Sequence, residues 1–244
     1  MRRAARSLHV AVVGGGVVGV STADELLRRG CRVTLLEASP GVAGASSATW
    51  GNAGTLWKSL RGTTPCEPAT LWRTLKLLGR DPGHEKNVFV NASCLTDAAF
   101  YRWALALART PNPSDYDWET AHADAQTYLI ERAAALGAGG LRIAGGEVRS
   151  SKGAVLSSDV GDALGDSALY TQALAEDCRA RGLHVWTNAP AGAVDGGGVT
   201  VDGARVEADA VVLSAGARTA SLLPMYVPIH PLRGYSITAR VTDA

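Results

Sequence analysis

Three glycines in the spacing G-x-G-x-x-G, Gly14, Gly16 and Gly19, follow directly on the short β-branched run Val10 to Val13. Few folds accommodate that order. The run reads as a central strand of a parallel sheet, buried on both faces. The first glycine permits a tight strand-to-helix turn, the second lets the backbone approach a pyrophosphate, and the third brings the helix close to the sheet. Gly19, Ala23, Leu26 and Leu27 recur at helical spacing, and Gly30 is placed to end the helix. Arg32 to Leu36 reads as a second strand. It ends at Glu37, 18 positions after Gly19, where a carboxylate can accept hydrogen bonds from ribose hydroxyls. A glycine-rich turn that binds nothing needs none of these neighbours. Together they favour a dinucleotide site made of Gly14, Gly15, Gly16, Val17, Val18, Gly19, Glu37 and Ala38. The charge of Glu37 would repel a 2′-phosphate, which disfavours NADP.

A plain NAD domain would enter another strand–helix unit soon after Glu37. Residues 38–56 instead form a Gly/Ala/Ser stretch, ASPGVAGASSATWGNAGTL, with little hydrophobic periodicity. Small residues and free amides suit a loop wrapped around an extended cofactor, which favours FAD over NAD. Ser46, Ser47 and Asn52 offer hydroxyl and amide hydrogen bonds to it. On composition alone the stretch also reads as a surface loop.

The nucleotide sheet resumes late. Ser167 to Arg181 reads as a helix, with Asp166 as its cap and Gly182 as its terminator, and Leu183 to Thr187 reads as a strand. Asp202-Gly203 between two short apolar runs signals a hairpin, and the strand in residues 207–217 ends in the small pair Ala215-Gly216. Residues 57–160 are an insertion. Within it Thr96 or Asp97 caps a helix whose apolar face is Phe100, Trp103, Ala104 and Leu107, and Trp118 to Leu136 forms a second amphipathic helix closed by Gly137. These aromatics read as core packing rather than as a substrate box. The fold class is therefore α/β: a Rossmann-like dinucleotide-binding domain with a parallel sheet, interrupted by an α+β insertion that the resemblance set out below makes a partial substrate-binding domain. The division runs 1–56 and 160–225 for the first domain, 57–159 and 226–244 for the second.

Composition closes off other classes. The 244 residues carry 24 basic and 23 acidic side chains, dispersed, so nucleic acid is not an expected partner. Cys31, Cys66, Cys94 and Cys178 show no C-x-x-C spacing, and the five histidines are scattered, so no metal site is expected. Unpaired thiols suggest a reducing compartment, hence a cytoplasmic protein or one peripheral on the inner face of a membrane, with mitochondria left open. No apolar run reaches the roughly 18 residues that span a bilayer. The basic start MRRAARS leaves too little chain before His9 for a removable leader.

Four segments in order, the fingerprint with Glu37, SSATWGNAG at 46–54, DVGDALGDSALYTQALA at 159–175, and EADAVVLSAGA followed by PIHPLRGYSIT at 228–238, resemble the FAD-dependent D-amino-acid oxidase, glycine oxidase and sarcosine oxidase superfamily. The P-L-R-G-Y-S stretch points to its D-amino-acid dehydrogenase branch. The resemblance implies that Ser46, Ser47, Asn52, Ala53 and Gly54 line the pyrophosphate and the approach to the flavin. It also implies that the Ala191 backbone holds the adenine edge and that Ala215 and Gly216 lie near the ribityl chain. It implies hydride transfer from an amino-acid or amine substrate to the flavin, with a quinone or dioxygen as the undecided electron acceptor. A glycine- or sarcosine-type amine oxidase is the alternative, as is a non-catalytic fragment. Two departures stand out. Residues 137–158 are shorter than the resemblance implies, and the chain ends at Ala244, before the segment in which the family holds the substrate carboxylate. No catalytic residue is named on this basis.

Overall fold

The structure, a computed structural model, describes residues 7–52, 54–56, 96–109, 118–137, 142–143, 148–149, 155–157, 163–229 and 231. Strand β1 (His9–Val13), helix α1 (Val17–Arg28) and strand β2 (Arg32–Leu36) appear where the glycine pattern and apolar periodicity put them. After them come β3 (Thr55–Leu56), α2 (Ala98–Arg109), α3 (Trp118–Ala135), β4 (Arg142–Ile143), β5 (Val148–Arg149), β6 (Val155–Ser157) and β7 (Ala163–Leu164). The chain continues with α4 (Ser167–Ala180), β8 (His184–Trp186), β9 (Ala191–Asp195), β10 (Gly198–Val201), β11 (Ala204–Glu207) and β12 (Ala210–Leu213). A 3-10 turn at Gly216–Ser221 follows.

Four strands form a parallel sheet in the order β12-β1-β2-β8, with Val13 opposite both Leu36 and Leu213. The alternation along β1 explains its unbroken apolar run. Val10 and Val12 join Val33 and Leu35 in a core shared with Val20 and Ala23 of α1 and with Leu174, Ala175 and Cys178 of α4. Ala11, Val13 and Leu36 point the other way, onto Val199, Val201 and Val206 of the antiparallel sheet β11-β10-β9. The parallel sheet therefore packs against helices on one face and a three-stranded sheet on the other, and its central strands β1 and β2 are buried on both.

Local chemistry sets the element ends. The Asp166 carboxylate accepts from Ala168 N and Leu169 N at 2.9 Å, capping α4, and Gly182 closes it at φ +99°. Asp202 and Gly203, at φ +47° and +78°, make the tight turn between β10 and β11. Asp97 caps α2 through Ala99 N at 2.8 Å, and the Phe100 and Trp103 rings meet at 5.9 Å. The side chains of Ala104 and Leu107 lie outside the described residues.

Helix α3 falls in the stretch that the sequence assigns to the inserted domain, yet it packs on α1 and α4. Ala133 is buried in the helix-side core, with Leu129 and Leu136 against it. The link is also polar. Asp24 of α1, fully buried, accepts from Tyr128 Oη at 3.0 Å and from Arg181, and pairs with Arg28 at 3.2 Å and Arg132 at 3.3 Å. Arg132 and Arg181 also hold Asp177, at 2.5 and 2.8 Å. Burial alone would raise the Asp24 pKa. Hydrogen bonds from Arg181 and Tyr128 and the charges of Arg132 and Arg181 outweigh it, and the carboxyl lies below its ordinary value. Asp24, Asp177 and Cys178 lie within metal-binding reach of one another. The guanidiniums already occupy the carboxylates, however, and burial pushes the Cys178 thiol up to about 12, so the cluster is an ion-pair node.

Candidate functional site

The carboxyl ends of β1, β2 and β12 meet at one edge of the sheet. From β1 the chain crosses to β2 on one side while β12 pairs on the other, which is the switch point where open α/β sheets bind ligands. Gly14 N donates to Leu36 O and Ser214 N to Val13 O, both at 2.8 Å, so the glycine turn and the end of β12 are drawn together. Gly14 has φ +109°, and a Cβ there would stand 2.5 Å from Ser214 O. A Cβ on Gly19 would stand 1.9 Å from Gly14 O. These two glycines are required by the protein's own packing. Gly16 differs: its backbone is extended, and a Cβ would meet only Thr49 Oγ1, at 3.1 Å.

Gly16, at the N-cap of α1, has no side chain to cap the helix. Val17 N donates to Thr49 Oγ1 at 3.0 Å, and Gly15 N to Glu37 Oε2 at 2.7 Å. Among the described residues nothing accepts from the amides of Gly16 and Val18. Amides without acceptors at a helix N-terminus, backed by the helix dipole, make a site for an anion.

Glu37 sits beside this site. Its other oxygen accepts from Ser39 N at 2.7 Å, so the carboxylate bridges the glycine turn and the start of the following loop. Ser39 and Ser46 share a hydroxyl hydrogen bond at 2.6 Å, which brings Ser46 to the same edge. Ala38 is exposed between them. The Ser47 hydroxyl is buried with no partner. Ala43 N donates to Gly15 O at 2.9 Å, holding the loop over the turn.

Asn52 and Gly54 have other work. The Asn52 amide donates to Ser167 Oγ at 2.6 Å and Thr49 O at 3.2 Å while its Oδ1 accepts from Gly54 N, so it pins the loop to the start of α4. Gly54 (φ +62°) crosses Gly165 so closely that a Cβ would lie 2.0 Å from Gly165 O. Ala53 lies outside the described residues. Asn188 N donates to Ser39 O and Ala189 N to Glu37 O, which carries the chain past the end of β2 into Ala191, the half-buried first residue of β9. Ala215 lies against Gly14, and Gly216 (φ +57°) opens the 3-10 turn beside it.

The structure thus brings residues 14–19, Glu37, Ser46 and Ala215 to one edge. Sequence reasoning missed Thr49, Ser39 and Ser214. Ser214 Oγ donates to Val13 O at 3.0 Å and stiffens the turn from the far side. Only a contact over 32 residues marks Thr49, and spacing carries no signal for it.

A D-amino acid dehydrogenase of Methylobacterium radiotolerans is 29% identical over 293 aligned positions, covering 97% of this chain and 68% of that protein. That alignment is longer than this chain, so the relative carries residues that this chain lacks. A D-amino-acid oxidase of Bradyrhizobium diazoefficiens is 41% identical over 75 residues, covering 30% of this chain and 17% of that protein. The crystal structure of glycine oxidase from Geobacillus kaustophilus is similar at 20% identity and a TM-score of 0.45, over 88% of this chain and 58% of that one. No described helix is long and apolar enough to cross a membrane. Residues 9–244 match the family described as DAO, FAD dependent oxidoreductase, and the chain belongs to that family of flavoenzymes.

Proposed function

We propose that this chain is the FAD-binding part of an enzyme that oxidises the CH–NH2 group of D-amino acids. The observation that carries the proposal is the pair of acceptor-free amides at the start of α1, with the Glu37 carboxylate held on the neighbouring Gly15 N. An acidic group fits those amides and a ribose diol fits a carboxylate, and a Cβ on Gly16 would meet only Thr49 Oγ1 within 4 Å. Gly14 to Gly19 and Ser47 hold the pyrophosphate in this reading, Glu37 the ribose, and Ala191, Ala215 and Gly216 flank the adenine and ribityl ends. Asn52 and Gly54 shape the loop. The bound flavin supplies the hydride acceptor, and the imine product hydrolyses in water to an oxo acid and ammonia. The chain's own contribution is to hold and orient that acceptor. The substrate class is inferred from the relatives' names, and the P-L-R-G-Y-S stretch agrees with it.

We assign residues 1–56 and 160–225, together with α3, to the FAD-binding domain, and the remaining inserted residues and 226–244 to the substrate-binding one.

The test uses protein expressed from its complete reading frame, loaded with FAD and mixed anaerobically with D-amino acids, their L-enantiomers, glycine and sarcosine. Bleaching of the flavin band by D- but not L-amino acids is expected. Bleaching by glycine or sarcosine alone would move the substrate to the simpler amines, and no bleaching by any of them would refute the reading. A second expectation concerns Glu37→Gln. One of the two carboxylate oxygens becomes an NH2 facing a backbone N–H, and charge-assisted bonding to the ribose is lost, an effect of about 1.5–3 kcal/mol. FAD should bind about ten- to a hundredfold more weakly. Equal dissociation constants in a fluorescence titration would take Glu37 out of the site.

A further inference from the structure

Resting on that reading of the site, we infer that Ser214 is a positioning residue: its hydroxyl orients the peptide between Gly14 and Gly15, and through that peptide the Glu37 carboxylate that receives the ribose. One peptide unit is held at both ends. The Ser214 hydroxyl has a single hydrogen, directed at Val13 O at 3.0 Å and shared with Gly14 O at 3.4 Å. Among the described residues no backbone amide donates to Gly14 O. Gly15 N, the other end of the same peptide, donates to Glu37 Oε2 at 2.7 Å. A trans peptide is planar, with its C=O and N–H pointing in opposite directions, so a group that fixes the carbonyl also fixes the direction of the N–H. A hydrogen bond to the carbonyl also polarises the peptide and strengthens the bond its N–H makes, by about 10–30%.

The surroundings leave this hydroxyl a narrow task. Ser214 N donates to Val13 O at 2.8 Å, so the backbone of the residue is placed without help from its side chain. Its neighbours Leu213 and Ala215 pack on the apolar core, and the strand itself asks for no hydroxyl between them. A Cβ on Gly19 would stand 1.9 Å from Gly14 O and 2.8 Å from Ser214 Oγ, which puts the hydroxyl in the gap between β1, the Gly14 carbonyl and α1. Glu37 has no slack either. Its other oxygen accepts from Ser39 N at 2.7 Å, and a Cβ on Gly15 would stand 2.9 Å from Oε2. Rotation of the Gly14–Gly15 peptide would therefore move the carboxylate or break its bond.

The experiment is a double-mutant cycle. FAD and ADP are titrated into FAD-free wild type, Ser214→Ala, Glu37→Gln and the double variant, and hydrogen exchange is followed at the Gly15 amide. Ser214→Ala should weaken FAD and ADP about three- to tenfold, with faster exchange at Gly15 and an unchanged circular dichroism spectrum. In the Glu37→Gln background the same substitution should change affinity by less than about twofold, because the group it positions is gone. Ser214→Cys, whose thiol is a weaker donor, should lie between serine and alanine. A merely structural serine would weaken FAD by the same factor in both backgrounds. That result, or unchanged affinity in Ser214→Ala, overturns the assignment and leaves the FAD site standing. Wild-type protein that binds neither FAD nor ADP overturns the site itself, and Glu37→Gln that binds FAD as tightly as wild type removes Glu37 from it; either takes the assignment with it.

Discussion

Gly16→Val is expected to purify as a folded protein that no longer retains FAD. The backbone at Gly16 is extended, at φ −76° and ψ 179°, a conformation that valine adopts freely. The added Cβ would press on the Thr49 hydroxyl at 3.1 Å, which a small shift relieves, and the poorer cap costs about 1 kcal/mol. The valine methyls then fill the space in front of the free amides. FAD affinity should fall by at least about a hundredfold, or roughly 2.8 kcal/mol. Circular dichroism and the flavin-to-protein ratio check the two halves of this result. A folded variant with one FAD per chain would put the cofactor elsewhere. Gly19→Ala is the contrasting case. Its Cβ would lie 1.9 Å from the Gly14 carbonyl, where no flexible side chain can move aside, and loss of soluble folded protein is expected.

Asp24→Asn should cause a large loss of stability although it barely changes the shape of the side chain. The carboxylate is fully buried and answers Arg28, Arg132, Arg181 and Tyr128. An amide keeps the shape, loses the charge and turns an N–H toward guanidiniums. Removing one member of a buried ion pair costs about 3–5 kcal/mol. For a chain of this size that lowers the thermal midpoint by about 6–20 °C. The pH dependence has a definite sign. Asp24 and Asp177 both titrate below their ordinary carboxylate value when folded. Their contribution is complete above the unfolded pKa, about 3.9, and disappears as pH falls through the folded values. The gap between wild type and Asp24→Asn should therefore be constant near neutrality and close in acid. A gap that widened in acid, or was absent at pH 7, would mean the carboxylate is not held as described.

The order β1, α1, β2 was legible because each boundary is decided within a few residues. Glycines permit the turn, Gly30 ends the helix, and β-branched residues fill a strand buried on both sides. The cap at Asp166 and the turn at Asp202-Gly203 were legible for the same reason. What covers the second face of the sheet was not, because Val199, Val201 and Val206 meet Ala11 and Val13 only through tertiary packing. The docking of α3 was equally hidden. Its mixed surface reads as amphipathic, and the bonds that place it run from Tyr128 and Arg132 back to Asp24, over 104 and 108 residues. Within the site, the glycines and Glu37 announced themselves by spacing. Asn52 was legible as a polar group in the right loop, yet its hydrogen bonds turn toward Ser167, since a side chain's direction depends on a neighbour 115 residues away.

The position of β1 in the sheet has a consequence for synthesis. One neighbour, β2, leaves the ribosome almost at once, but the other, β12, follows some 200 residues later, as the bond between His9 N and Asp209 shows. At about 5–20 residues per second that interval is about 10–40 s. Throughout it the nascent chain presents one unpaired edge of an apolar central strand, and Asp24 must wait for Arg181, 157 residues downstream. Non-local pairing of this kind slows folding and lengthens the exposure of strand edges. The demand on chaperones therefore falls on the first 40 residues, which are among the first to be made and can be completed only after most of the chain has followed.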